Sequence, residues 1–361
     1  MRRAVEGISW RNLSVASAGS LDYAFASLGM TRSRKKRIRY GMEWLAVAAG
    51  MTLVPLLPRR ICYMLGQFFG TLGYFFDGKG RAVALANVES AFGAQHDQGQ
   101  RRVIVRRCYR IFATTLIDVL WSSRLTRQNF RRYIEMVGFE RVEAESNNFR
   151  SAIAASIHYG NFEWMSLAWG FLGYPCDLVT ERQKNSSLEP LMQRARKRSG
   201  HTVIPRKGAI MRLYKTIRRG GRAAILIDLN VRPTQAAVVI NCFGLETCVT
   251  LAHAWLHQHA RATICPAYCE PLPGGRYRIV CHPTIQVPPH ATATEIAQLC
   301  WDTFEPVIRR QPAAWLWMYK HWRFRPLTSE RKYPFYANES TQFEKLKKRL
   351  REEQSQPSAA A

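Results

Sequence analysis

Between residues 151 and 282 the chain repeats one pattern: an apolar run of five to seven residues, then a polar or helical stretch. The runs are SAIAAS (151–156), CDLVT (176–180), HTVIP (201–205), AAILID (223–228), AAVVI (236–240), TICPAYC (263–269) and YRIVCH (277–282). Runs this short, bounded by polar residues and rich in Ile, Val and Ala, read as strands buried on both faces. Segments such as AIMRLYKTIRRGG (209–221), which closes on a Gly-Gly stop, read as the helices between them. The pattern predicts an α/β fold: a mixed sheet flanked by helices. No internal repeat interrupts it.

The front of the chain is built differently. RSRKKRIR (32–39) carries six positive charges in eight residues. MEWLAVAAGMTLVPLLP (42–58) comes next with one charge, and as a helix it would reach roughly 25 Å, a little short of a full span. After Arg59 and Arg60, ICYMLGQFFGTLGYFF (61–76) has no charge. A signal peptide fits poorly, because no small-residue cleavage site comes after it. A buried helix pair is one alternative. The favoured expectation is a hydrophobic membrane anchor or interfacial helix pair over 40–76, with the basic run held on the cytoplasmic side. Residues 1–39 then read as a basic, weakly ordered extension, 77–330 as the main domain, and 331–361 as a basic, partly disordered tail.

Charge narrows the partners. Lys and Arg number 53 against 26 Asp and Glu, a formal net charge of +27. Nucleic acid, anionic lipid and an acidic carrier protein would all be attracted, and charge alone does not choose. The nine cysteines are scattered among apolar residues and read as buried thiols rather than a disulfide framework. Cys265 and Cys269 have no second pair at zinc-ribbon spacing, so no metal site is expected.

The stretch SIHYGNFEW (156–164) carries the chemistry. In one continuous helix His158 and Glu163 would lie about 140° apart and could not meet. With His158 at a strand end the geometry changes. Gly160 frees the backbone to turn, and Asn161 is a good N-cap for a helix running FEWMSLAWGFLG. Glu163 then sits in the first helical turn, placed to accept a hydrogen bond from one imidazole nitrogen and leave the other as a general base for a substrate hydroxyl. Helix N-terminal N–H groups nearby suit an oxyanion. The structural alternative is a strand-end histidine beside a glutamate that merely favours the helix dipole.

IHYGNFEW resembles the H-x4-E segment of the bacterial lipid A biosynthesis acyltransferases, within the lysophospholipid acyltransferase superfamily. The resemblance runs from about residue 40 to 326. RAVALANVESAF, with Arg81 and Asn87, resembles the segment ahead of the transferase domain. ERQKN resembles the family's Arg-x-x-Asn stretch and brings in Arg182 and Asn185; GGRAAILIDLN resembles the strand ending in Asp-Gln and brings in Asp228. NCFG and WLWMYKHWRFRP resemble the aromatic-Gly and closing Trp-rich signatures. Leu229, Tyr319 and His321 depart from that pattern.

The resemblance implies a glycerolipid acyltransferase-like fold at the cytoplasmic face of the inner membrane. It implies transfer of a fatty acyl chain from an acyl carrier protein or CoA thioester to a hydroxyl of a lipid A precursor. No bound cofactor or metal is implied. His158 and Glu163 are the expected catalytic pair; Asn161, Arg182, Asn185, Asp228 and Arg206 are expected to bind substrate. Asn161 could cap the helix, touch substrate, or both, and Arg182 could bind phosphate or pair with Asp228. The alternatives are another lysophospholipid, glycolipid or aminolipid acceptor, or a non-catalytic protein binding anionic lipid or nucleic acid. An anionic membrane surface, not nucleic acid, is the expected partner. His253 and His257, at i and i+4, lack the H-E-x-x-H form and read as structural.

Overall fold

The computed structural model describes residues 32–355 apart from 181–184, 186, 188, 189, 191, 192 and 194–196. Helices α1 (Arg32–Leu53), α2 (Arg59–Phe76), α3 (Gly78–Phe92) and α4 (Gln98–Trp121) come first. The basic run is the opening of α1, so the expected boundary at residue 39 falls inside a helix; Lys and Arg are good helix formers. Pro55 and Pro58 separate α1 from α2, because proline has no N–H to continue a helix. Among the described residues no helix is long and apolar enough to cross a membrane.

Helix α2 lies against α4. A Cβ on Gly66 would come within 2.7 Å of the Thr114 Cα, and one on Gly70 within 2.7 Å of the Tyr109 carbonyl, so only glycine lets these helices approach so closely. The rest of α2 faces outward, where Met64, Phe68, Phe69, Phe75 and Phe76 are exposed, Phe76 by 81%. On α1, Trp44, Leu45 and Leu53 are exposed too. Arg81 donates to the carbonyls of Tyr74 and Phe75, closing the end of α2 where helix carbonyls lack partners.

The sheet strands are β1 (Ile134–Val137), β2 (Ala152–Ser156), β3 (Asp177–Thr180), β4 (Thr202–Pro205), β5 (Arg222–Leu226), β8 (Thr263–Leu272) and β9 (Arg276–Cys281). Their order is β1-β9-β8-β2-β5-β3-β4. β8, β2, β5, β3 and β4 run parallel; β9 is antiparallel to β8 and β1 is parallel to β9. This is the mixed sheet the apolar runs predict. A separate hairpin pairs β6 (Ala237–Cys242) with β7 (Leu245–Thr250). β7 escapes detection in the sequence because LETCVT carries a glutamate and two threonines, and its pairing comes from the tight Phe243-Gly244 turn, both residues at positive φ.

The sheet is covered on both faces by helices, among them α5 (Phe139–Glu145), α6 (Phe162–Phe171), α7 (Ala209–Arg218), α8 (Ala252–Ala260) and α9 (Ala293–Arg310). Ile264 and Tyr268 of β8 join one apolar cluster and Cys265, Ala267 and Cys269 the other, the period-two alternation of a strand buried on both sides. Helix α10 (Thr341–Ser355) buries Phe343, Leu346 and Leu350 in the core.

Candidate active site

The parallel register of β2 and β5 builds the site. Ser156 pairs with Leu226, so His158 and Asp228 each stand two residues past the end of adjacent strands. Both are buried, and His158 Nδ1 lies 2.8 Å from Asp228 Oδ1. The His158 backbone N–H also donates to Asp228 Oδ2, at 3.0 Å. Trp315 Nε1–H donates to the same oxygen at 2.8 Å. Burial alone would raise the Asp228 pKa, but His158, its hydrogen bond, His321 and the Trp315 donor together hold it below the ordinary carboxylate value. With Nδ1 bonded to Asp228, Nε2 is the nitrogen that a proton transfer would use.

Glu163 does stand in the first turn of α6, half-buried, but the carboxylate that holds Nδ1 is Asp228. The reason is the register: a residue two past a strand end meets its counterpart on the next parallel strand more directly than one beyond an intervening turn. The turn is tightly specified. Gly160 has φ +55, and a Cβ there would collide with the Cys269 carbonyl. Asn161 is buried and uses both ends of its amide: Oδ1 caps α6 by accepting from the Trp164 N–H at 3.0 Å, and Nδ2 donates to Asp118 Oδ2 at 2.8 Å. Its expected capping role is present, and its amide is turned into the protein.

The other anticipated residues are dispersed. Arg206 stands directly after β4 and is half-buried, at the same C-terminal edge of the parallel strands where α/β sheets bind ligands. Arg182 lies outside the described residues. Asn185 is buried, and its amide donates to the Tyr40 carbonyl and the Glu43 carboxylate of α1, at 2.9 and 3.2 Å. That is a tether between the segment after β3 and the first helix. His253 is buried and His257 bonds the Ala262 carbonyl at 2.9 Å.

The Trp-rich segment forms a strap over the site. Gly160 N–H donates to the Ala314 carbonyl at 2.8 Å and Leu316 N–H to the His158 carbonyl at 3.1 Å. Asn87 of α3 clamps the far side, its amide donating to the carbonyls of Trp317 and Tyr319 at 2.7 Å each. His321 stacks on Trp315 with ring centroids 3.9 Å apart, and burial lowers its pKa to about 4.

Comparison with known proteins matches residues 31–324 to the family described as bacterial lipid A biosynthesis acyltransferase. The chain belongs to the bacterial lipid A biosynthesis acyltransferase family. It is also similar to the lipid A biosynthesis lauroyltransferase of Escherichia coli strain K12, 23% identical over 293 residues that cover 80% of this chain and 93% of the relative. As a member of this family the protein is an O-acyltransferase, and its activity requires a lipid A-type acceptor and an acyl donor.

Within this acyltransferase the departures from the family pattern are not loose ends. Tyr319 donates its hydroxyl to the Asn230 carbonyl at 2.8 Å, and Thr247 donates to the His321 carbonyl at 2.7 Å while pairing with the Asn230 amide. The Tyr319 side chain and the His321 backbone carbonyl therefore brace the loop that carries Asp228. Sequence reasoning missed Trp315, Asp118 and Arg59 as site-forming residues. Trp315 lies within the Trp-rich signature; Asp118 lies inside LIDVLW as a lone acid on an apolar helix face, and an acid there is a signal in itself.

Proposed function

We propose that this acyltransferase moves a fatty acyl chain from an acyl carrier protein or CoA thioester to a hydroxyl of a lipid A precursor, with His158 as general base. The hydroxyl proton passes to His158 Nε2. The alkoxide attacks the thioester carbonyl, the tetrahedral oxyanion collapses, the C–S bond breaks, and the thiolate leaves with the proton returned by His158. An ester and a free thiol result, with no covalent enzyme intermediate and no bound cofactor. Asp228 orients the imidazole and favours the imidazolium that forms. Glu163 is assigned the site's second carboxylate, and first-turn N–H groups of α6 the oxyanion. Arg206 and Arg182 are assigned to acidic groups of the substrate.

The observation that carries this reading is the buried His158–Asp228 pair at the C-terminal edge of parallel strands. Membrane association is part of it. Exposed Arg106 of α4 lies over the Phe75 ring of the α2 aromatic face at 5.8 Å, and Arg102 and Arg107 are exposed on the same helix. Aromatics flanked by cations suit a helix lying in an anionic interface rather than crossing it. The cytoplasmic side of the inner membrane, where acyl thioesters are made, fits this chemistry.

Mass spectrometry of lipids from cells lacking the protein, complemented with wild type or His158→Ala, tests the reading. Loss of one acyl chain from lipid A, restored only by wild type, is the expected result. A shift in a different lipid would keep the chemistry and move the acceptor to another glycolipid or aminolipid. Full complementation by His158→Ala would overturn the assigned base.

A further inference from the structure

One face of α4 runs beneath the catalytic turn. Thr115 and Asp118 are three residues apart on that helix and so share a side. Thr115 Oγ–H donates to the Gly160 carbonyl at 3.1 Å, and Asp118 Oδ2 accepts from Asn161 at 2.8 Å. Asp118 is fully buried. Its carboxylate also accepts from the Tyr277 hydroxyl and both Arg59 Nη groups, and its backbone carbonyl accepts from the Trp164 indole at 3.0 Å. A buried carboxylate is costly unless its oxygens are satisfied, and this one is satisfied from three directions.

Asn161 is thereby held by opposing bonds, one to the helix it caps and one to Asp118. It cannot rotate without losing one of them. The direction in which α6 leaves the turn, and with it the placement of Glu163 relative to His158, depends on that grip.

We propose that Asp118 is a positioning residue for the acyl-transfer site, acting through Asn161 rather than touching substrate. The inference rests on the function proposed above. A misplacement of about 1 Å at a reacting group can cost on the order of a hundredfold in rate. Removing the grip should therefore lower kcat and leave both KM values alone.

The test compares Asp118→Asn and Asn161→Ser with the wild-type full chain in detergent micelles. Asn161→Ser keeps a good N-cap oxygen and loses only the donor to Asp118, so it is the milder variant. The probes are lauroyl-acyl carrier protein and an under-acylated lipid A with free 3-hydroxyacyl hydroxyls. The expected result is a fall in kcat of about tenfold to a hundredfold, with KM within about twofold and the melting temperature of Asn161→Ser near wild type. A second readout needs no turnover: the rate at which diethyl pyrocarbonate modifies His158, measured by peptide mass spectrometry, with buried His321 and His253 as internal references. Faster modification of His158 alone is expected in both variants. Wild-type kcat and wild-type labelling in Asn161→Ser would overturn the proposal. So would a raised acceptor KM with kcat retained, which would make Asn161 a substrate contact. If wild type itself transfers no acyl chain, the functional reading falls, while the labelling still decides whether Asp118 positions His158.

Discussion

Trp315 donates its indole N–H to Asp228, 87 residues earlier in the chain, on the oxygen that also accepts from the His158 backbone. The other carboxylate oxygen is thereby left to the imidazole. Trp315→Phe keeps an aromatic ring to stack on His321 but removes the donor. A hydrogen bond to a charged group contributes about 1.5–3 kcal/mol. The variant should lose roughly tenfold to a hundredfold in kcat/KM, measured with a fixed acyl donor. Activity equal to wild type would mean that Asp228 is held adequately without it.

Asp228→Asn should be more damaging. The amide can still bond Nδ1, but it offers no charge to the imidazolium and can impose the wrong tautomer. General-base contributions are about a hundredfold to ten-thousandfold, and kcat should fall within that range while acceptor binding persists. Glu163→Gln, assayed beside it, ranks the two carboxylates. A larger loss at Glu163 would return the orienting role to the residue five positions from His158.

The stability of the protein should decline as it is acidified below neutrality. Burial lowers the pKa values of His321 and His253 to about 4 from the ordinary 6.5. Unfolded chains then bind protons that the folded state refuses. The contribution is fully present above pH 6.5 and is lost as pH falls towards 4, on the order of 3 kcal/mol for each group. Asp118, raised to about 6 mainly by burial, acts in the opposite sense, losing stability as pH rises from 3.8 to about 6. Chemical denaturation across pH 4–7 should show a flatter profile for His253→Phe, since the His253 ring nitrogens have no hydrogen-bond partner among the described residues.

Enlarging the glycines under α2 should unseat it. Gly70→Val places atoms against the Arg110 backbone, where no side chain can swing aside. A cost of about 1–3 kcal/mol is expected, read as a lowered melting temperature. Phe68→Ser with Phe76→Ser, on the exposed side of the same helix, should leave melting nearly unchanged and weaken sedimentation with phosphatidylglycerol vesicles. Each buried Phe contributes about 1.5–3 kcal/mol to such binding. Unaltered sedimentation would remove α2 from the membrane interface.

Every apolar run that the sequence offered between 151 and 282 is a strand, six in the helix-covered sheet and AAVVI in the separate hairpin, because short Ile, Val and Ala runs have few other places to go. The turn at Gly160 and the cap at Asn161 were equally legible, since positive φ and N-capping are local demands. The partner of His158 was not. Pairing it with Asp228 depends on which strands lie side by side and in what register, and neither is encoded within nine residues. The same limit hid Trp315 and Asp118, which reach the site by hydrogen bonds that only the tertiary fold sets up. The packing of the apolar stretch 61–76 was hidden for a different reason. Its hydrophobicity is divided between a glycine face against α4 and an aromatic face outside, and composition cannot separate the two.

The strap has a consequence for the birth of the protein. His158 and Asp228 are synthesised well before residues 314–316, yet part of the bonding that holds the turn and the carboxylate comes from those residues. While the chain is still emerging from the ribosome, strands β2 and β5 can pair, but their histidine and aspartate lack the outer support. The site matures only when the tryptophan segment arrives and closes over it, so a chain truncated before residue 314 would carry every proposed catalytic side chain and still be without a finished centre.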